Sequence, residues 1–168
     1  FDTYLESGCV PFVEIGFMPL ALTSAPEDVQ YDAIRDAGWG YPPRDYSRWA
    51  DLVRALGRHC LERYGLREVS RWYWELWNEP DIFYWQGTTG EYCRLFDYTE
   101  AALHSVIPQA KLGGPAVTSP GRPEAAGVLR DFLAHCAHGE NSATGGSGTR
   151  LDYITFHTKG ARYTTDHA

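Results

Sequence analysis

The chain has 168 residues, of which 43% are hydrophobic and 22% charged. That is enough for one ordinary folded domain and argues against intrinsic disorder. It is also short of the roughly 250 residues of a complete TIM barrel. A formal net charge of −7 argues against a phosphate-binding surface, because nucleic-acid recognition relies on clustered Lys and Arg.

Aromatic residues make up 14% of the chain, with six Trp and eleven Tyr. These side chains build cores, and they also stack on sugar faces. The four cysteines, Cys9, Cys60, Cys93 and Cys136, are widely spaced without a C-x-x-C pair. They read as buried free thiols rather than as a zinc site or a disulfide framework. No run approaches the roughly 18 apolar residues of a membrane span.

In chain order, residues 1–7 read as the end of a helix stopped by Gly8. Residues 10–18 (VPFVEIGFM) form an apolar, β-rich run, the mark of a strand buried on both faces. A long connection over residues 19–44 follows, rich in Pro, Gly, Asp and Tyr; such loops are usually functional. Residues 46–64 carry Trp49, Leu52, Val53, Leu56, Cys60, Leu61 and Tyr64 at helical spacing, and Gly65 closes them.

The next strand is expected over residues 72–77 (WYWELW), ending at Asn78-Glu79-Pro80-Asp81. Residues 89–106 give a second amphipathic helix, with Tyr92, Leu95, Phe96, Thr99, Leu103 and Val106 on one stripe. Residues 111–117 (KLGGPAV) read as a short strand before a Pro-rich loop, and residues 128–138 as a helix. Residues 140–150 (ENSATGGSGTR) read as a flexible polar surface loop, and residues 151–157 (LDYITFH) as a fourth strand. Strands alternating with helices imply an α/β fold with parallel strands and helical crossovers.

The chemistry concentrates at the tip of the second strand. In a parallel α/β architecture, catalytic groups gather where the chain leaves the sheet. Alternation places Glu75, Trp77 and Glu79 on one side, with Glu79 outermost. Neighbouring indoles desolvate a carboxyl group and favour its protonated form, which a general acid needs. Glu14 and Glu75 lie within strands and are expected to be structural, each requiring a hydrogen-bonding partner if buried. Tyr84 and Trp85 suit either a sugar-stacking wall or packing against the loop. Glu91 reads as an ordinary first-turn charge.

The stretch WYWELWNEPD over residues 72–81 resembles the acid/base strand of glycoside hydrolase family 39, the β-xylosidases and α-L-iduronidases. Residues 11–19 (PFVEIGFMP) resemble that family's third barrel strand, and residues 152–160 (DYITFHTKG) its sixth. The resemblance implies an α/β chain covering roughly strands 3 to 6 of a (β/α)8 TIM barrel. It makes residues 1–168 a partial catalytic barrel domain truncated at both ends.

The resemblance also implies that Glu79 is the acid/base and that Asn78 bonds the hydroxyl beside the anomeric carbon. His157 and Lys159 would line the sugar subsite. The expected activity is that of a retaining β-xylosidase-like exo-glycosidase acting on a glycoside substrate. An α-L-iduronidase-like enzyme and a non-catalytic sugar-binding relative are the alternatives. A stand-alone flavodoxin-like domain lacks its phosphate loop, because FMPLALTSAP is apolar and Pro-rich.

Retaining hydrolysis needs a second carboxylate roughly 5–5.5 Å from the first, and the family's lies at the end of the seventh strand. It is expected outside this chain, since Glu140 sits in the Gly/Ser loop and Asp166 is too near the end. Four strands cannot close a barrel, so the isolated chain is expected to be inactive. No metal or cofactor is implied, and neither nucleic acid nor membrane is an expected partner.

Overall fold

The computed structural model describes residues 1–158. Four strands, β1 (Phe12–Ile15), β2 (Tyr73–Leu76), β3 (Lys111–Val117) and β4 (Tyr153–Phe156), form one sheet in the order β1-β2-β3-β4. Every neighbouring pair is parallel. Between the strands run α2 (Tyr46–Tyr64) with the short α3 (Leu66–Val69), then α4 (Thr89–Val106), then α5 (Pro123–His138). A short α1 (Asp2–Glu6) precedes the sheet.

Register and period together assign the faces. Val13, Trp74 and Leu112 are partners across the sheet, and all three are buried. They pack on the helix side with Ile15 and Leu76, against Trp49, Val53, Leu95, Phe96 and Leu103 of α2 and α4. The opposite face carries Phe12, Glu14, Tyr73, Glu75, Gly113, Tyr153 and Thr155. No described helix covers that face, and Phe12 and Tyr73 stand exposed on it. On β4 the helix-side residues Ile154 and Phe156 are half exposed, because among the described residues no helix follows β4.

The two long helices follow their sequence signals. Asp45 caps α2 by accepting from the Ser47 N–H, and Gly65 ends it at a φ of 76°, a conformation that favours glycine. A capping box starts α4: the Thr88 hydroxyl accepts from the Glu91 N–H while the Glu91 carboxylate accepts from the Thr88 N–H. Glu91 is therefore more than a first-turn charge.

Several expectations are corrected. The helix α5 starts at Pro123 rather than residue 128, because Pro123 occupies its first turn, where a missing N–H costs nothing. Leu52 of the predicted stripe is exposed. Cys9 is exposed, Cys136 is half-buried, and only Cys60 and Cys93 are buried; all four are free.

The 140–150 segment is pinned rather than loose. Asp97 of α4, fully buried, accepts from the Ser142 N–H at 2.8 Å and from the Thr149 hydroxyl, and pairs with His135 at 2.8 Å. A buried carboxylate requires such partners, and the loop supplies two of them.

Candidate active site

The site forms where β2, β3 and β4 end. Strand alternation stops at Leu76, since Trp77 and Glu79 adopt φ values of 65° and 48°. The expected common side for Glu75, Trp77 and Glu79 therefore does not hold. The Trp77 indole turns into the loop core, fully buried, with its N–H on the Tyr84 carbonyl at 3.0 Å and its ring against Trp85 and Phe17. On β3, Ala116 has a φ of 53° at a register irregularity between Pro115 and Val117. Its carbonyl accepts from the Glu79 N–H at 3.1 Å.

Left-handed backbone at non-glycine residues costs of order 1–3 kcal/mol each. Burying an indole removes 150–250 Å² from water, worth about 4–6 kcal/mol at ~25 cal/mol per Å². The burial of Trp77 thus outweighs the strain at Trp77 itself, and it sets the turn that delivers Glu79.

Glu79 is 3% exposed, and its Oε1 lies 2.7 Å from His157 Nδ1. The backbone N–H of His157 donates to the Val117 carbonyl at 2.8 Å, so the β3 tip positions the imidazole just as it positions Glu79. Residues 78 positions apart in sequence are thereby joined in one hydrogen bond. Asn78 is half-buried beside Glu79. Lys159 and Asp166 lie outside the described residues. Asp81 fastens the tip of β2 to the start of the loop after β3, accepting from the Thr118 N–H at 2.9 Å and from its hydroxyl.

Past the end of β1 and in the loop after β2 stands an aromatic cluster. Phe17, Trp39 and Tyr84, all half-buried, pack with ring centroids 4.4 Å (Phe17–Trp39), 5.7 Å (Phe17–Tyr84) and 5.7 Å (Trp39–Tyr84) apart. The long 19–44 connection carries Trp39 back over the end of β1, where its carbonyl accepts from the Met18 N–H at 3.0 Å. Of the two aromatics singled out after the strand tip, Tyr84 joins the wall. Trp85 is packing: it is buried and donates to the Thr88 carbonyl at 2.9 Å. Sequence reading missed Phe17 and Trp39. Their signals were the aromatic after Gly16 at the strand end and the GWG turn in a functional-length loop.

Below the Glu79–His157 pair lie Glu14 and Glu75, partners in the β1–β2 register. Burial pushes Glu75 up from the ordinary carboxylate range, while a Thr155 hydrogen bond and the nearby His157 work against it. Glu14 is pushed up by burial, then by Glu75 and Glu79, with His157 opposing. Among the described residues no group of three or more His, Cys, Asp and Glu side chains has the arrangement of a metal site. The chemistry available is proton transfer by a buried carboxyl group in contact with an imidazole.

The profile of Glycosyl hydrolases family 39 matches residues 1–168. The chain is 41% identical over 138 residues to a β-xylosidase of Geobacillus stearothermophilus, covering 81% of this chain and 26% of that protein. It is 42% identical over 120 residues to the human α-L-iduronidase, covering 68% of this chain and 18% of that protein. A monomeric β-xylosidase from Caulobacter crescentus superposes with a TM-score of 0.72 at 30% identity, covering 94% of this chain and 29% of that one. The four parallel strands and the helices between them are a stretch of a TIM barrel, and the open face of the sheet is its interior. The chain spans roughly a third or less of the length of these relatives. It belongs to glycosyl hydrolases family 39.

Proposed function

We propose that this chain supplies the acid/base half of a retaining exo-glycosidase of β-xylosidase-like specificity, with Glu79 as the proton-transfer residue. The observation that carries the reading is the contact between Glu79 and His157, a nearly buried carboxyl and an imidazole at strand ends of a family 39 barrel. In the first step Glu79 gives its proton to the glycosidic oxygen while a carboxylate from outside this chain attacks the anomeric carbon. In the second, Glu79 removes a proton from the water that hydrolyses the glycosyl-enzyme.

Glu14 and Glu75 are poor candidates for the nucleophile because they sit deeper in the barrel, where Thr155 engages Glu75. Asn78 serves the hydroxyl beside the anomeric carbon. The wall of Phe17, Trp39 and Tyr84 suits the apolar face of a sugar or its leaving group. Lys159 joins the sugar subsite with His157 in this proposal. The bound partner is a glycoside, and the acid/base mechanism requires neither metal nor cofactor.

The test uses the protein expressed with its flanking coding sequence. Wild type is expected to hydrolyse aryl β-xylosides, and Glu79→Gln to lose on the order of 10²–10⁴-fold in kcat for poor leaving groups. A smaller loss for activated leaving groups, which need little protonation, completes the signature. Equal loss for all leaving groups removes Glu79 from the acid role. An α-L-iduronidase-like specificity is the second reading, favoured by the similarity to the human enzyme. Parallel assays on aryl α-L-iduronides separate the two.

A further inference from the structure

Three consecutive residues at the end of β3, Ala116, Val117 and Thr118, hold both partners of the site. The Ala116 carbonyl accepts from the Glu79 N–H at 3.1 Å, and the Val117 carbonyl accepts from the His157 N–H at 2.8 Å. Thr118, 5% exposed, donates its N–H to one oxygen of Asp81 at 2.9 Å and its hydroxyl to the other. Buried donors need acceptors, and the Asp81 carboxylate serves both donors of this one residue. The same short stretch of β3 therefore sets where Glu79 and His157 stand, and the two meet at 2.7 Å.

The turn that carries Asp81 closes on Glu79 itself. The Ile82 N–H donates to the Glu79 carbonyl at 3.3 Å, and Pro80, at the second position of that turn, is buried. Proline suits the position because its ring presets φ, but it brings no N–H and no polar side chain. Asp81 is thus the first side chain after Glu79 with polar atoms that can fasten the turn.

Backbone strain gives the fastening its purpose. Glu79 and Ala116, the two partners of the 3.1 Å bond, have φ values of 48° and 53°. Left-handed backbone at such residues persists only where the surroundings over-determine it. The Glu79–Ala116 and Ile82–Glu79 bonds join backbone groups. The Asp81 carboxylate adds a side-chain tie between the same two strand ends.

We propose that Asp81 is a positioning residue: through Thr118 it ties the end of β2 to the end of β3 and so fixes where Glu79 presents its proton. The proposal rests on the reading of Glu79 as the acid/base. Asp81 acts through Thr118 and the turn from Glu79 to Ile82, and it transfers no proton itself.

The experiment compares wild type, Asp81→Ala, Asp81→Asn, Thr118→Val and the double variant Asp81→Ala/Thr118→Val in the full-length protein. Each is assayed on aryl β-xylosides graded by leaving-group acidity. Misplacing a catalytic group by about an ångström costs up to ~10²-fold, so Asp81→Ala is expected to lose at least about tenfold in kcat for poor leaving groups. The loss should shrink for activated leaving groups, which need little protonation, with KM little changed. Asp81→Asn keeps an acceptor for the Thr118 N–H and a donor for its hydroxyl oxygen, and it is expected to recover most of the loss. Thr118→Val should lose less than Asp81→Ala, and the double variant no more than Asp81→Ala, because partners in one contact do not act independently. An Asp81→Ala variant as active as wild type, or impaired equally for all leaving groups, overturns the proposal. So does an asparagine variant as impaired as alanine, and so do losses that multiply in the double variant.

Crystal structures give a reading that does not depend on turnover. Asp81→Ala, or Thr118→Val should the alanine variant not fold, is expected to shift the Glu79 carboxyl from its 2.7 Å contact with His157, whereas Asp81→Asn keeps the contact. An unmoved carboxyl overturns the proposal. A Glu79→Gln variant without leaving-group dependence instead defeats the proposed function, while the position of the Glu79 carboxyl still decides what Asp81 does.

Discussion

Replacing His157 with alanine removes the group that meets Glu79 Oε1 at 2.7 Å, and the structure sets the size of the effect. A hydrogen bond involving a charged partner contributes about 1.5–3 kcal/mol net. The Glu79 side chain is 4% exposed, but His157 is 38% exposed, so water fills part of the vacated space. That screening favours the lower end, about 1.5 kcal/mol, which corresponds to roughly tenfold in rate.

The assay is kcat and kcat/KM of the full-length protein on a series of aryl β-xylosides graded by leaving-group acidity. With Glu79 as the proposed acid/base, the loss of its His157 contact should fall on kcat and grow as the leaving phenol becomes less acidic, and the loss of His157 from the proposed sugar subsite should add a rise in KM. A loss below about threefold would refute the reasoning. A raised KM with kcat intact would also refute it, and would mean that His157 serves the sugar subsite alone.

Three further outcomes concern stability, each measured by thermal or denaturant unfolding. An added Cβ at Gly113 would stand 2.3 Å from the Tyr153 ring, whose hydroxyl donates to the Trp74 carbonyl. Gly113→Ala is therefore expected to destabilise by about 3 kcal/mol from overpacking and the lost hydrogen bond, and an unchanged midpoint would contradict this. Asp97→Ala leaves the buried Thr149 hydroxyl, the Ser142 N–H and His135 without their acceptor and should cost about 1–3 kcal/mol; Asp97→Asn, which keeps an acceptor oxygen, should cost clearly less. For His104, burial works against protonation, but hydrogen bonds to Glu100 and the Ala110 carbonyl outweigh it and raise the group above its ordinary value. A raised folded value stabilises fully below the ordinary histidine range, and the benefit disappears as pH rises through the folded value. The melting-temperature gap between wild type and His104→Gln should thus narrow above about pH 6.5; a constant gap would exclude the linkage.

What the sequence discloses here is local. The helices α2 and α4 announce themselves through apolar stripes and through Asp45, Gly65 and the Thr88–Glu91 box, all of which act within a few residues. The end of β2 was legible because Trp and Tyr crowd the residues before Asn78 and Glu79. What stayed hidden depends on partners far along the chain. Asp97 draws the 140–150 segment onto α4 across more than 40 residues, and no local pattern in a Gly/Ser-rich stretch reports that. Trp39 reaches the site because its carbonyl meets the Met18 N–H. The left-handed turns at Trp77 and Glu79 break the two-residue rule that strand reading relies on, and tertiary burial of the indole drives them.

The sheet divides labour by parity, and the division explains why the acidic residues matter. On β2, Trp74 and Leu76 serve the helix-side core, whereas Tyr73 and Glu75 face the barrel interior. A slip of one residue would exchange the two sets and place Glu75 among the helices with no donor. Among the described residues the interior face is where a carboxyl lies near Thr155 and His157, and in the proposed function it is also the face that a substrate approaches. Carboxyl groups gathered there raise one another's affinity for protons: Glu14 is raised by burial and then by Glu75 and Glu79, with His157 opposing. Thr155 for the lower carboxyl, His157 for the upper and exposure for Glu14 give each a different environment. For the proposed acid/base, the buried contact with His157, beyond the Asn-Glu-Pro motif, is what sets Glu79 apart from Glu14 and Glu75.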